Sequence, residues 1–398
     1  MAVINRVAEF HEEITEYRRK LHQYPQTAYE EIIASDLVKE KLTEWGIPFK
    51  TGYAKTGLVA TIEGQKTESG KKLGLRADMD ALNIHECSGQ PWTSKHDGKM
   101  HACGHDGHTA MMLGTAKYLQ ETKNFDGTVN LIFQPAEEGE KGALNMIKDG
   151  LFKDFPIDYI FGVHNWPTLE KGKIDMRVGS QMAAMDVFEI KVIGKGGHAA
   201  IPHNVIDPIV ITSHIISALQ TIVSRNVAPT DTAVISITNI NAGTGAINII
   251  PQEATITGTV RTLSSETQSL IEKRIKEISR NIAQSMGGDI EIVNYKNTSI
   301  ATINTADGIE IAKKAAIEVI GEENLNANCL PTLASEDFGA MLAEIPGAYV
   351  FLGQKETDDT SPHSHGLHSP KYDFNDDVIP TGISYFVKII ETYMPLNK

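Results

Sequence analysis

The sequence predicts an α/β protein: a discontinuous α/β domain with a mixed sheet, interrupted by an inserted α+β domain of the ferredoxin-like, split βαβ kind. Three observations carry this. Short apolar runs alternate with helical periodicities over residues 1–180, a strand-helix-strand-strand-helix-strand series follows, and the alternating texture returns near Ile300.

Taken in order, Ala34, Val38, Leu42 and Trp45 recur at helical spacing, with Gly46 as the stop. Brief apolar runs bounded by Gly, Asp or Pro read as strands at residues 57–62, 73–76, 129–133 and 159–163, with a helix over 109–119 between the second and third. Beyond Gly179 strands are expected at 187–193, 233–240, 254–262 and 289–295, and helices at 208–224 and 265–286. The second of these helices has the fuller signature. Ser265 and Gln268 fit a capping box, Leu270, Ile271, Ile275, Ile278 and Ile282 form a stripe, and Gly287-Gly288 ends it. Residues 309–320, 349–352 and 383–392 then complete the first domain. The predicted boundaries are 1–180 and 298–398 for that domain and 181–297 for the insert.

The length of 398 residues exceeds one typical domain of about 150. With 41% apolar and 22% charged residues, disorder is excluded as the main state. Acidic residues number 51 against 37 basic, a net charge of −14 with no basic stripe, which argues against a nucleic-acid partner. The most apolar stretch, 209–223, is interrupted by Thr212, Ser213, His214, Ser217, Gln220 and Thr221, so no membrane span is expected. Residues 1–20 lack the apolar core of a secretory signal, and Cys87, Cys103 and Cys329 are too scattered for a disulfide framework. A cytoplasmic location is the expectation.

Chemistry concentrates in HACGHDGH, where His101, Cys103, His105, Asp106 and His108 fall within eight residues. Cys103 and His105, in a Gly-flanked loop, can both reach one metal ion; a His-containing turn ahead of the 109–119 helix is the plainer alternative. Asp78 and Asp80, Glu137 and Glu138, and His164 each follow a predicted strand. In an open α/β sheet, groups beyond the carboxyl ends of strands converge on one crevice. His363, His365 and His368 offer a further imidazole, with the choice among them open on chemistry alone. One thiolate, several imidazoles and several carboxylates exceed the ligand set of one structural zinc and point to two neighbouring divalent ions. Such ions lower the pKa of a shared water, and Glu137, beside a ligand carboxylate at Glu138, is placed to take its proton and pass it to a leaving amine. That is the chemistry of amide hydrolysis.

Nine motifs in register carry a resemblance over nearly the whole chain: RRKLHQYP from Arg18, LRADMDAL from Leu75, HACGHDGHTAMMLG from His101, FQPAEEGEKGA from Phe133, GVHNWP from Gly162, GKGGHAA from Gly194, NIIPQEATITGTVRT from Asn248, SEDF from Ser335 and HSPKYDFND from His368. In these the chain resembles the N-acyl-amino-acid amidohydrolases, the aminoacylase, hippurate hydrolase and indoleacetyl-amino-acid hydrolase group, related to carboxypeptidase G. The resemblance implies a metallopeptidase-like hydrolase with a dinuclear site. Cys103, His105, Glu138, His164 and His368 match its metal ligands, Glu137 its general base, and Asp78 or Asp80 an orienting carboxylate. It implies zinc, manganese, cobalt or nickel as the two ions.

The insert matches the family's lid, which pairs two subunits in many members. His198 then matches a donor to the substrate carbonyl, and Asn248 and Arg261 match positions suited to the substrate carboxylate. Asn375 and Asp376 stand where many relatives read Asp-Glu, which bears on substrate choice. The expected activity is hydrolysis of an N-acyl amino acid, a small-molecule substrate. The competing readings are a dipeptidase, a carboxypeptidase or an N-acetyl-diaminopimelate-type deacylase; a Cys103 nucleophile with a histidine base; and an inactive metal-binding scaffold.

Overall fold

The computed structural model of the chain describes residues 3–358 and 360–396. Two compact units make it up: one holds the chain up to Gln181, Thr302–Pro331 and the chain from Asp337 onward; the other holds Met182–Ala301 and Thr332–Glu336.

The larger unit is built on a mixed eight-stranded sheet. Its order is Phe49–Tyr53, Gly57–Glu63, Thr128–Gln134, Lys72–Asp78, Tyr159–Glu170, Gly347–Lys355, Ile174–Asp175 and Leu325–Asn326. The four strands from Thr128–Gln134 to Gly347–Lys355 run parallel, and the strands flanking them are antiparallel to them. Central strands such as Lys72–Asp78 and Thr128–Gln134 are buried along almost their whole length, which is why they read as largely apolar runs, broken by the buried Arg76 and Asn130, rather than as alternating ones. Helix His105–Thr122 connects these two strands and packs on the sheet, on helix His11–Gln23 and on helix Ile379–Tyr393. It starts four residues before its predicted beginning. Gly104, at φ +93°, turns the chain into it, and residues 105–116 are buried all round, so its first turns carry no amphipathic period.

The smaller unit follows the split βαβ order. Its four long strands lie in the order Asp289–Ser299, Gly179–Ile193, Glu253–Thr262, Ala233–Ala242, every neighbouring pair antiparallel. Glu253–Thr262 alternates buried and accessible residues, and its Ile256 and Val260 join Ile190, Ile215, Leu219 and Ile275 in one core beneath helices Pro208–Arg225 and Ser265–Ser285. Asp207 caps the first helix by accepting from the Ile209 and Val210 amides, with Pro208 at its start. The predicted capping box of Ser265 and Gln268 does not form. Ser264 is the cap, accepting from Thr267 N at 3.2 Å, because the buried Gln268 side chain turns instead to Asp186, Nε2 to Oδ1 at 2.6 Å. No helix among the described residues is long and apolar enough to cross a membrane.

Candidate active site

The sheet register brings the site together in the larger unit. Arg76 pairs with Gly162 and Asp78 with Gln134, so Asp78, the start of the Pro135–Gly142 loop and His164 reach the same level of the parallel strands. Beside them lies the start of helix His105–Thr122. A Cβ on Gly104 would stand 2.4 Å from Asn165 Oδ1 and 2.5 Å from the Tyr372 hydroxyl, so only glycine lets Cys103 and His105 approach this closely.

Two of the imidazoles, His105 and His164, are each oriented by a carbonyl. His105 Nδ1 donates to Asp80 O at 2.9 Å and His164 Nδ1 to Asn165 O at 2.7 Å. A carbonyl only accepts, so Nδ1 carries the proton on both rings and each Nε2 presents a lone pair. Among the described residues His105 Nε2 is buried without a hydrogen-bond partner, and His164 Nε2 lies 3.4 Å from Cys103 Sγ. Five groups of three donor atoms lie within 4.8 Å of one another among the described residues, Asp78, His105 and His108 and Glu137, Glu336 and Asp337 among them, and two contain Cys103: Cys103, His105 and His164, and Cys103, Glu138 and His368. They share the sulfur. His105 also groups with Glu137 and Glu138. His368 sits at φ +64°, its amide donating to Ala102 O at 2.8 Å and its Nε2 3.1 Å from Glu138 Oε1. His363 and His365 join none of these groups.

The electrostatics favour a cation. Burial opposes positive charge at His105, whereas the Asp78 and Asp80 carboxylates favour it, so a cation held on Nε2 of the neutral ring would be stabilised there. Burial pushes the Cys103 thiol well up, and Glu138, Glu137 and Asp78 push it further. Nucleophilic cysteines sit in electropositive surroundings, so this thiol has the wrong setting for that role. A soft donor, lone pairs on two fixed rings and an excess of carboxylates fit divalent metal.

The two aspartates do different work. Asp80 accepts the amides of Glu137 and Glu138, each at 3.0 Å, and so fixes both glutamates as well as His105. Asp78 pairs with Arg76 Nη1 at 2.7 Å and His108 Nδ1 at 2.6 Å. Three supporting residues escaped the sequence reading. Asp337, within the SEDF motif, accepts from Gln134 Nε2 at 2.7 Å and Ala143 N at 2.8 Å, and its own amide donates to Glu137 Oε1 at 3.3 Å. The fully buried Glu31 accepts the Ala136 amide at 2.9 Å, and Asn165 Oδ1 lies 2.7 Å from His108 Nε2. Asn375, at the departure from the family pattern, holds Gln354 O and Glu356 Oε1 through its side-chain amide.

The remaining three residues lie in the smaller unit. His198 is exposed on a two-residue ladder with Ile249, and the Asn248 carbonyl accepts from Ala199 N at 3.0 Å. His198 Nδ1 accepts the Ala200 amide at 3.1 Å, which leaves Nε2 as the protonated, donating nitrogen of the neutral ring. Arg261 is half-buried on strand Glu253–Thr262, and its Nη1 is buried with no hydrogen-bond partner among the described residues.

Residues 74–392 match the model of peptidase family M20/M25/M40. The chain belongs to this family. This M20 chain is 43% identical to the hippurate hydrolase of Campylobacter jejuni, over 99% of this chain and 100% of that one. It is 38% identical to the N-acetyl-L-cysteine deacetylase of Bacillus subtilis, over 93% and 85% of the two chains. The crystal structure of a dinuclear metal binding peptidase of the M20 family from Bacillus subtilis superposes with a TM-score of 0.83 at 32% identity, covering 97% of this chain and 99% of that one.

Proposed function

We propose that this M20 protein is a metal-dependent amidohydrolase that cuts the amide of N-acyl amino acids, giving a free amino acid and a carboxylic acid. The observation that carries the reading is the pair of donor triads sharing Cys103, with the lone pair of His105 Nε2 unused and carboxylates on every side. In this reading Cys103, His105, Glu138, His164 and His368 hold two divalent ions, of zinc, manganese, cobalt or nickel. Bound there, the ions supply Lewis acidity toward the scissile carbonyl and a lowered pKa for the attacking water.

The chain's own groups do the rest. Glu137, held through its amide by Asp80, takes a proton from the water and delivers it to the departing nitrogen. Asp80 orients the glutamate pair and His105. His198 donates from Nε2 to the carbonyl oxygen as negative charge develops, in its own or a partner subunit's site. Asn248 and the guanidinium of Arg261 receive the substrate carboxylate. A lid role for the smaller unit, subunit pairing through it and a cytoplasmic location belong to the same proposal.

The test is hydrolysis of N-acetyl amino acids, N-benzoyl amino acids and dipeptides by metal-stripped protein, with and without each of the four ions, beside a count of bound metal. Metal-restored turnover of acylated substrates is expected. Preference for a free amino terminus would move the reading to a dipeptidase; two bound ions with no cleavage would favour the scaffold. Turnover indifferent to chelation would overturn the site.

A further inference from the structure

The RRKLHQYP motif takes no part in the chemistry above, yet it supplies two fully buried charged or polar side chains, Arg18 and His22, from helix His11–Gln23. Arg18 meets three carboxylates. Its Nη2 donates to Asp373 Oδ1 at 2.6 Å, Nε lies 3.0 Å from Asp106 Oδ2, and Nη1 lies 3.5 Å from Asp376 Oδ1. His22 Nδ1 stands 2.8 Å from the same Asp106 oxygen, and its Nε2 3.2 Å from Glu86. Asp106 directly follows His105, and Asp373 closes the loop that begins at His368.

One guanidinium therefore joins the two chain segments that carry candidate ligands from distant parts of the sequence. A buried ion pair is a weak stabilising device, because desolvation offsets its attraction, but three nitrogens in a rigid plane fix the relative position of what they hold. A lysine ammonium in the same place is a single point and has no such fork. Groups behind the ligands of a metal set its affinity by orienting them.

We propose that Arg18, supported by His22, is a positioning residue for the metal centre, setting the spacing between the Cys103–His105 segment and the His368 loop and thereby the affinity for metal. The inference rests on the metal-binding reading given above. It predicts a defect in metal retention that excess metal repairs, with substrate binding untouched.

The experiment compares the full chain with Arg18→Lys, Asp373→Asn and a control, Leu73→Ala, which opens a cavity in the core of the same unit. Metal affinity is read by chelator competition, thermal stability on stripped protein, and kcat and KM in excess metal. Arg18→Lys and Asp373→Asn are expected to bind at least one ion roughly 10- to 100-fold more weakly. Leu73→Ala, though less stable, should keep the parent affinity, and excess metal should restore kcat in the two clamp variants without a change in KM. Parent affinity in both clamp variants, or an equal loss in Leu73→Ala, overturns the inference. Should Arg18→Lys not fold, the isosteric Asp373→Asn decides it. If the parent chain binds no metal, both this inference and the reading beneath it fall; if the parent and both clamp variants bind two ions equally well, only the inference falls.

Discussion

The two units hold their candidate functional groups in opposite ways. In the larger unit several of these groups are braced: the His105 ring by the Asp80 carbonyl, the His164 ring by Asn165, the backbone of the two glutamates by the Asp80 carboxylate, and Asp78 by Arg76. In the smaller unit His198 is exposed and Arg261 is half-buried. Bond-making groups gain from being fixed before substrate arrives, because reorganisation then costs nothing during reaction. A group that is to meet an arriving molecule must instead be accessible, as the His198 ring is.

That contrast can be broken at four points. Glu137→Gln should lower kcat by up to roughly ten-thousandfold while metal content stays at the parent value. Turnover within a few fold of the parent would remove Glu137 from the reaction.

The second point concerns pH. Burial would depress the His22 pKa, but Asp106 first and Glu86 next raise it to about 9, with Arg18 acting against them and the His101 ring 6.3 Å away. A group with a raised folded pKa adds stability that is fully present below its unfolded value near 6.5 and is lost as pH rises through about 9. Stripped protein should therefore lose up to about 3 kcal/mol of denaturant stability across that window, and His22→Asn should lose this dependence. Parallel pH profiles for the two proteins would show that His22 is not charged in the folded chain.

The smaller unit should respond more mildly and in different parameters. His198→Ala is expected to cost roughly hundredfold in kcat with unchanged melting temperature, since no buried partner is orphaned. Arg261→Lys should raise KM roughly tenfold for substrates bearing a free carboxylate, and leave the corresponding amides unaffected. Equal effects on acid and amide substrates would detach Arg261 from carboxylate recognition. Large losses of stability in either variant would erase the distinction between braced and open regions.

What was legible in the sequence follows the same division. Strands such as Lys72–Asp78 and Thr128–Gln134 emerged within a residue or two at each end, because burial on both faces leaves an apolar run. Helix His11–Gln23 did not emerge, since Arg18 and His22 occupy positions of its buried face where a periodicity argument looks for apolar residues. The ligand candidates stood out because thiol, imidazole and carboxylate at strand ends are distinctive by type. Glu31 and Asp337 were missed for the converse reason. They act on backbone amides, Ala136 N and Ala143 N, and an amide leaves no trace in the sequence of the residue that carries it.

The spread of the donor set also has a consequence for assembly. Cys103 comes from the first third of the chain, whereas His368 and the Asp373 anchor of Arg18 come from its last tenth. Contacts of such long range form late, because a large loop must close before they return any energy. A chain emerging from the ribosome therefore exposes one thiol-bearing triad long before the other can exist. The donor group of Cys103, Glu138 and His368 is therefore completed only when the final segment docks.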